Sequence, residues 1–257
     1  QHGDRLAIVT PGKNLSYDQL AVKTSNLASE LTRADIGTGI QVALVLPNSI
    51  AYLVWYFAVL EAGGIVVPLA PTVTLSEVTY LVESASIQFL VTPDNSSLPQ
   101  GLEISTEIRS TTVPNTTLWQ TRAAVRMLEP LIEDAENIIT RQFSSGSTGR
   151  PKHMLKSAVN IAHDCWHFCT TLELNDGERF LGVTPFSHSY GAMSFLAAFH
   201  LGGCVVLVPR FFPAPVLEAS SKYQPTVFLA TPTMLDILGT CRLEKGEEDA
   251  FHSIKVC

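Results

Sequence analysis

The chain has no long apolar run, little charge and no surplus of basic residues, and each shortage excludes something. Its longest uninterrupted apolar stretch, Ile50–Leu60, is eleven residues long and stops at Glu61 and Gly63–Gly64. A bilayer-spanning helix needs about twice that, so no transmembrane segment is expected. Charged residues make up 16% of the 257, and 17 Lys and Arg against 24 Asp and Glu leave a net charge of −7. That surface offers no general positive field to hold nucleic acid, which is excluded as a partner. Any anion must be gripped locally. Five cysteines, an odd number, do not make a secreted disulfide framework and point to a reducing, cytoplasmic compartment. Sequons at Asn14, Asn95 and Asn115 arise often by chance and leave that expectation unchanged. The chain opens at Gln1 rather than Met, and His252–Cys257 reads as the start of a strand. Both ends look cut, so targeting cannot be read from them. Hydrophobic residues, at 46%, suffice for a substantial core in one large domain or two lobes.

A further absence is local. No Asp or Glu occurs from Asn137 to His163, where Arg141, Arg150, Lys152 and Lys156 give +4, so the rest of the chain carries −11. In the middle of this segment lies Ser144-Ser-Gly-Ser-Thr-Gly-Arg-Pro-Lys152. Gly146 and Gly149 permit positive φ or close backbone approach to a ligand, and the hydroxyls of Ser144, Ser145, Ser147 and Thr148 can donate to oxyanions. Consecutive backbone N–H groups in such a loop form an anion-binding concavity, and Lys152 adds the positive charge. A flexible Gly/Ser linker is the alternative reading. The setting argues against it, because a β-type run, Ile138–Phe143, precedes the loop and a helix-compatible run from about Ser157 to Leu172 follows. The Walker A pattern is broken by Pro151 before the lysine and His153 after it, so an ordinary P-loop NTPase is not expected.

Strand and helix patterns alternate elsewhere, the mark of βαβ units and a largely parallel sheet flanked by helices. Ser16 with Gln19 forms a capping-box pair opening a helix to about Arg33, followed by a strand at 41–46 and a helix from Ile50 to Ala62 ending at Gly63–Gly64. Strand 65–69, a helix from the Thr74/Glu77 capping box to about Ser86, and strand 88–92 complete one α/β half. Residues 93–137 carry Pro, Asn, Ser and Thr clusters and predict an irregular connection with a short strand around Ile104. Strands at 180–184, 204–208 and 226–230 then recur with room for a helix in each gap. The expected division is a first α/β subdomain over 1–137 and a second over 138–257 that starts with the Gly/Ser loop.

The run Phe143–Lys152 resembles the phosphate loop of the acid-adenylating superfamily of acyl-CoA synthetases, nonribosomal-peptide adenylation domains and luciferases. Other segments fall in the family's order: Leu60–Leu69 is similar to its Gly-x-Pro-Leu segment, Thr184–Gly191 to its Pro-x-x-His-x-x-Gly segment, and Ala230–Leu235 to its Pro-Thr-x-Leu segment. The resemblance spans nearly the whole chain and implies a truncated N-terminal domain of the adenylate-forming fold, made of two α/β lobes. It also implies ATP-dependent activation of a carboxylic acid to an acyl-adenylate, with transfer to coenzyme A and with Mg2+ held by ligands partly outside the chain. A carrier protein is the alternative acceptor. Ser144, Ser145, Gly146, Ser147, Thr148, Gly149 and Lys152 are then the ATP phosphate grip. His153 stands where many relatives have Gly, and Phe143 where Tyr is frequent. Amino-acid-activating members usually carry an Asp in the segment equivalent to Phe186–Ser189; none is present here, which favours fatty or aryl acids. Segments for adenine, ribose and the C-terminal catalytic lysine are expected beyond Cys257, so the isolated chain is expected not to adenylate. A non-catalytic nucleotide-binding module remains the reading from another class.

His188 follows a predicted strand and the turn Pro185-Phe-Ser187, where open α/β sheets place ligand contacts. By resemblance it lies beside the acyl carboxylate and phosphates as the candidate catalytic residue, with Gly191 allowing close packing behind it. His163, Cys165, His167 and Cys169 suggest a metal site, but on one helix the two histidines share a face that the cysteines do not, so no metal is assigned to them. Cys165, Trp166 and Cys169 read instead as a core stripe with Ala162, and Tyr52, Trp55, Tyr56 and Val59 as core or a buried face. Glu244–Asp249 reads as a solvated turn.

Overall fold

The computed structural model describes residues 3–94, 96, 102–122, 138–144, 152–241 and 250–257. The chain is α/β and divides into two compact units, one formed by Gln1–Leu20, Pro47–Ile50 and Ala162–Cys257, the other by Ala21–Leu46 and Ala51–Ile161. The division therefore does not fall at residue 137. The segment 138–161 stays with the first half because its strands pair there, and the first 20 residues join the C-terminal part.

In the C-terminal unit, β1 (Leu6–Val9), β2 (Asn14–Ser16), β10 (Arg179–Gly182) and β11 (Cys204–Leu207) form a sheet in the order β10-β11-β1-β2. β10, β11 and β1 are mutually parallel neighbours, and β2 closes the edge as an antiparallel hairpin partner of β1. Helices α5 (Ser189–His200), α6 (Pro213–Tyr223) and α7 (Pro232–Thr240) lie between or after these strands. Its core holds Val9, Leu181, Val183, Val206, Val216 and Phe228. The expected strand at 226–230 shrinks to one residue: Val227 bridges Phe180 on one side and Val256 on the other. Pro225 and Pro232 bracket that segment, and the Ala230 N–H turns back onto the Phe228 carbonyl, which ends the ladder.

The second unit holds a seven-stranded sheet in the order β6-β7-β5-β3-β4-β8-β9. Its centre is parallel, with β3 (Gln41–Leu44) between β4 (Ile65–Pro68) and β5 (Phe89–Pro93), and β8 (Ile138–Ser144) beside β4. Both edges are antiparallel. β3 and β4 are buried along their whole length, which is why they read as unbroken apolar runs rather than alternating ones. Helix α1 (Tyr17–Arg33) opens with the predicted box, the Ser16 N–H donating to Gln19 Oε1 at 3.1 Å and the Gln19 N–H to Ser16 Oγ at 3.2 Å. Helix α3 (Leu75–Ala85) opens with the Thr74/Glu77 box and lays Val78, Leu81, Val82 and Ala85 on Ala43, Val67 and Leu69. Between them α2 (Ile50–Glu61) buries Tyr52, Trp55, Tyr56 and Val59 and ends at Gly63, whose φ of +85° requires glycine. The Trp55 indole N–H donates to Thr116 Oγ1 at 3.0 Å.

The stretch expected to be an irregular connection instead contains two strands, β6 (Ile104–Arg109) and β7 (Thr116–Thr121), paired antiparallel. Their turn is held by a carboxylate from α1. Glu30 accepts from Ser110 Oγ at 2.8 Å, Thr112 Oγ1 at 2.7 Å, the Thr112 N–H at 3.1 Å and the Thr111 hydroxyl. Burial alone would raise the Glu30 pKa, but these donors outweigh it and hold it below the ordinary carboxylate range. A depressed folded-state pKa gives stability that is present above the unfolded carboxyl pKa and lost as pH falls through the folded one. Glu30→Gln is therefore predicted to cost about 1 kcal/mol at neutral pH and to flatten the acid limb of a stability-against-pH curve. Melting curves at pH 7 and below pH 4 check this, and an equal loss at both would contradict it.

Candidate active site

The Gly/Ser loop hangs from a hairpin. β8 and β9 (Lys152–Ser157) run antiparallel, with Phe143 opposite His153 and Ser144 opposite Lys152. Ser145, Gly146, Ser147, Thr148 and Gly149, the rest of the predicted grip, lie outside the described residues. Ser144 and Lys152, the described residues on either side of that stretch, form one cross-strand pair, whose Cα atoms in such ladders lie about 4.5–5.5 Å apart. The exposed Lys152 is thereby fixed at the loop's base. This corrects the strand-loop-helix expectation, because a second strand follows the loop and helix α4 (Ala158–Thr171) begins only after Ser157. Ser157 pairs with Ile138 at the far end of the hairpin, about 17 Å from Lys152 at the usual strand rise. The positive end of the α4 dipole thus lies at the end of the hairpin away from Lys152.

A buried cation braces the base of the hairpin. Arg141 is 6% exposed; its Nη1 donates to Gln41 Oε1 at 2.9 Å and to the Ala85 carbonyl at 3.0 Å, and its Nη2 lies 3.3 Å from His153 Nδ1. The guanidinium stands 5.8 Å from the centre of the Phe143 ring, and the Phe143 and His153 rings meet edge-on at 6.0 Å. Phe143 and His153, the two departures from the family's loop pattern, therefore face each other. Burial and the neighbouring Arg141 both push the His153 pKa down, which keeps the ring neutral and Nδ1 able to accept.

His188 sits in the other unit. It occupies the N-cap of α5 beyond the carboxyl end of β10, with φ −96° and ψ 147°, and its side chain makes no capping bond. Its backbone N–H donates to the Pro185 carbonyl at 3.0 Å, closing a turn, and its carbonyl accepts from Ala192 N–H at 2.8 Å. Thr184 Oγ1 donates to the Leu229 carbonyl at 2.6 Å and Tyr190 Oη to the Ala230 carbonyl at 3.2 Å, so the His188 turn is tied to the chain entering α7. A Cβ on Gly191 would run into the Pro185 carbonyl oxygen, which gives the expected close packing behind His188 a specific partner. Sequence reasoning missed Asn48, whose amide holds this same turn. Its only signal was a polar residue following Pro47 between a strand and a helix.

On α4, Cys165 and Cys169 are buried as expected, but Trp166 is 55% exposed and Ala162 is exposed. The stripe reading is corrected to the two cysteines, since Trp166 lies about 100° around the helix from Cys165. Burial raises the Cys169 thiol pKa and pushes that of Cys204 up to about 11, which makes both unreactive at neutral pH. Among the described residues no three of His, Cys, Asp and Glu converge as metal ligands. Nor is any helix among them long and apolar enough to cross a membrane. Glu244–Asp249 lies outside the described residues.

The profile of the AMP-binding enzyme family matches residues 1–257. The chain belongs to that family. A long-chain-fatty-acid–CoA ligase of Bacillus subtilis is 27% identical over 99% of the chain and 52% of its own length. A feruloyl-CoA synthase of an Amycolatopsis species is 30% identical over 87% of the chain and 45% of its own. Gramicidin S synthase 2 of Brevibacillus brevis is 28% identical over 90% of the chain, which is 5% of that protein. The chain thus spans about half the length of the two ligases it matches. Among solved structures, ATP-bound MatB from Rhodopseudomonas palustris superposes with a TM-score of 0.75 at 19% identity, over 98% of the chain and 51% of its own. The Bacillus subtilis o-succinylbenzoate CoA synthetase in complex with its acyl-adenylate does so at 0.74 and 21%, over 95% and 49%. Both likenesses establish the fold of this AMP-binding enzyme chain.

Proposed function

We propose that the intact protein carrying this chain is an AMP-forming acid–thiol ligase that activates a fatty or aryl carboxylic acid with ATP and passes the acyl group to coenzyme A. The observation that supports the reading is the Ser144–Lys152 backbone pair, which brings a lysine next to the Gly/Ser stretch in an acidic protein. The donor set fits a polyphosphate: hydroxyls, backbone N–H groups and one lysine, with no carboxylate from Asn137 to His163. In the first half-reaction a carboxylate oxygen of the acid bonds to the α-phosphorus while the bond to the β-phosphate bridging oxygen breaks, releasing pyrophosphate. Lys152 and the loop donors from Ser144 to Gly149 hold the β- and γ-phosphates and take up the charge that grows on the leaving group. Magnesium, when bound, adds charge neutralisation at the phosphates. In the second half-reaction the thiol sulfur attacks the acyl carbon, AMP leaves, and the thiol proton passes to solvent. His188, exposed at the α5 N-terminus past the end of β10, is assigned to the acid carboxylate.

The absence of an acidic side chain from Phe186 to Ser189 supports an acid without an amino group, since an unpaired ammonium is costly to bury. Acid-dependent exchange of labelled pyrophosphate into ATP tests the first half-reaction in the intact protein. Thioester formation with coenzyme A, against a phosphopantetheinyl carrier protein, tests the second. Exchange driven by amino acids and not by fatty or aryl acids would overturn the substrate class, and loading of the carrier alone would overturn the acceptor.

A further inference from the structure

We infer that Asn48 is a positioning residue for His188, acting across 140 positions of sequence through the turn on which His188 stands. Asn48 is 5% exposed, and a buried side-chain amide is tolerated only when its donors and acceptor are used. Here both ends are used on one turn. Nδ2 donates to the Thr184 carbonyl at 2.9 Å, with the Gly182 carbonyl at 3.5 Å, and Oδ1 accepts from the Phe186 N–H at 2.8 Å. The amide thus bridges the Thr184 carbonyl, two residues past the end of β10, to the Phe186 N–H in the middle of the turn, while the Gly182 carbonyl within β10 also accepts from the Val208 N–H at 3.2 Å.

The rest of the turn is locked from the other side. The Phe186 ring is 1% exposed and meets Phe195 of α5 edge-on at 5.0 Å. The His188 N–H returns to the Pro185 carbonyl, and Gly191 presses on that same carbonyl with no room for a Cβ. Pro185 and His188 themselves are exposed. The imidazole therefore projects from a backbone whose path is set, besides the Thr184 and Tyr190 bonds to the chain entering α7, by one amide, one aromatic contact and one glycine. Of these last three, only Asn48 comes from outside the β10–α5 connection. Because the His188 side chain makes no capping bond of its own, its placement depends on that backbone.

This inference rests on the role assigned to His188 above, and a double-mutant cycle in the intact protein keeps the two separable. Asn48→Ala is expected to lower kcat/KM for the acid by about 10- to 100-fold, the range a misplaced contact group produces, while the KM for ATP stays within about threefold, since the phosphate loop belongs to the other unit. In a His188→Ala background the same change is expected to cost less than about threefold more, because the group it positions is gone. Asn48→Asp keeps the acceptor for Phe186 N–H and sets a second acceptor against the Thr184 carbonyl; it is expected to behave like Asn48→Ala and serves where the alanine variant fails to fold. Hydrogen exchange at the amides of Phe186, His188 and Ala192 is expected to rise in either variant. Losses that multiply across the cycle, or an equal rise in KM for ATP, overturn the positioning role and leave His188 standing. A His188→Ala protein with unchanged kcat/KM for the acid overturns the role of His188, and the inference with it.

Discussion

Lys152→Met in the intact protein is expected to lower acid-dependent pyrophosphate exchange by about 100- to 1,000-fold, the usual loss when one donor to developing charge is removed. The thermal midpoint is expected to stay within about 2 °C, as for most substitutions of exposed side chains. The side chain is exposed and starts β9, the edge strand of the seven-stranded sheet. Its backbone pairs with Ser144 whatever the side chain, so methionine keeps the hairpin and the aliphatic length and removes only the ammonium. Because that charge is assigned to the leaving pyrophosphate, kcat is expected to fall further than the affinity for ATP, since an interaction stronger in the transition state is lost from kcat. Lys152→Arg keeps the charge but spreads it over a planar fork and is expected to recover only part of the rate. Exchange rates and ATP KM for the three proteins decide this. A Lys152→Met enzyme with wild-type exchange would remove the phosphate grip from the lysine.

How much of this was written locally in the sequence differs from element to element. The two capping boxes, Ser16 with Gln19 and Thr74 with Glu77, were legible because both partners lie within four residues, and the same bonds form in the fold. β3 and β4 were legible because complete burial demands an unbroken apolar run. β9 was hidden for the opposite reason. In Lys-His-Met-Leu-Lys-Ser the first three residues are exposed and burial then rises to Ser157 without alternating, so its strand character comes from the ladder to β8 and leaves no hydrophobic period to read. β1 is short and owes its place to β11, almost 200 residues away, a pairing no local window contains. The phosphate grip expected of the Gly/Ser loop was read from composition alone. The hold on Arg141 was not legible, since it is bonded to Gln41 and the Ala85 carbonyl across 100 and 56 positions. Trp166 shows the converse error, in which an apolar residue was assumed to be inside although large hydrophobic side chains are common on surfaces.

Gly191→Ala is expected to damage the protein more than any other single-methyl addition proposed. An alanine Cβ there would overlap the Pro185 carbonyl oxygen and approach the Thr184 carbonyl oxygen to 2.8 Å. Both are backbone atoms, so no side chain can swing away. Relief requires either lifting the first turn of α5 or opening the 184–188 turn. Lifting α5 withdraws Phe195, which is fully buried, from Phe186; opening the turn breaks the Asn48 bonds and the His188-to-Pro185 bond. Backbone overpacking of this kind costs roughly 1–3 kcal/mol and at times more, which lowers the thermal midpoint of a unit this size by several degrees. The strain falls on the turn that carries His188, so the surviving folded protein is also expected to lose kcat/KM for the acid while ATP affinity holds. Gly239→Ala is the control: its added Cβ meets nothing within 4 Å, and alanine favours the helical backbone of α7 by up to about 1 kcal/mol. If Gly191→Ala melts with the wild type and turns over as fast, the tight turn behind His188 plays no part in placing it.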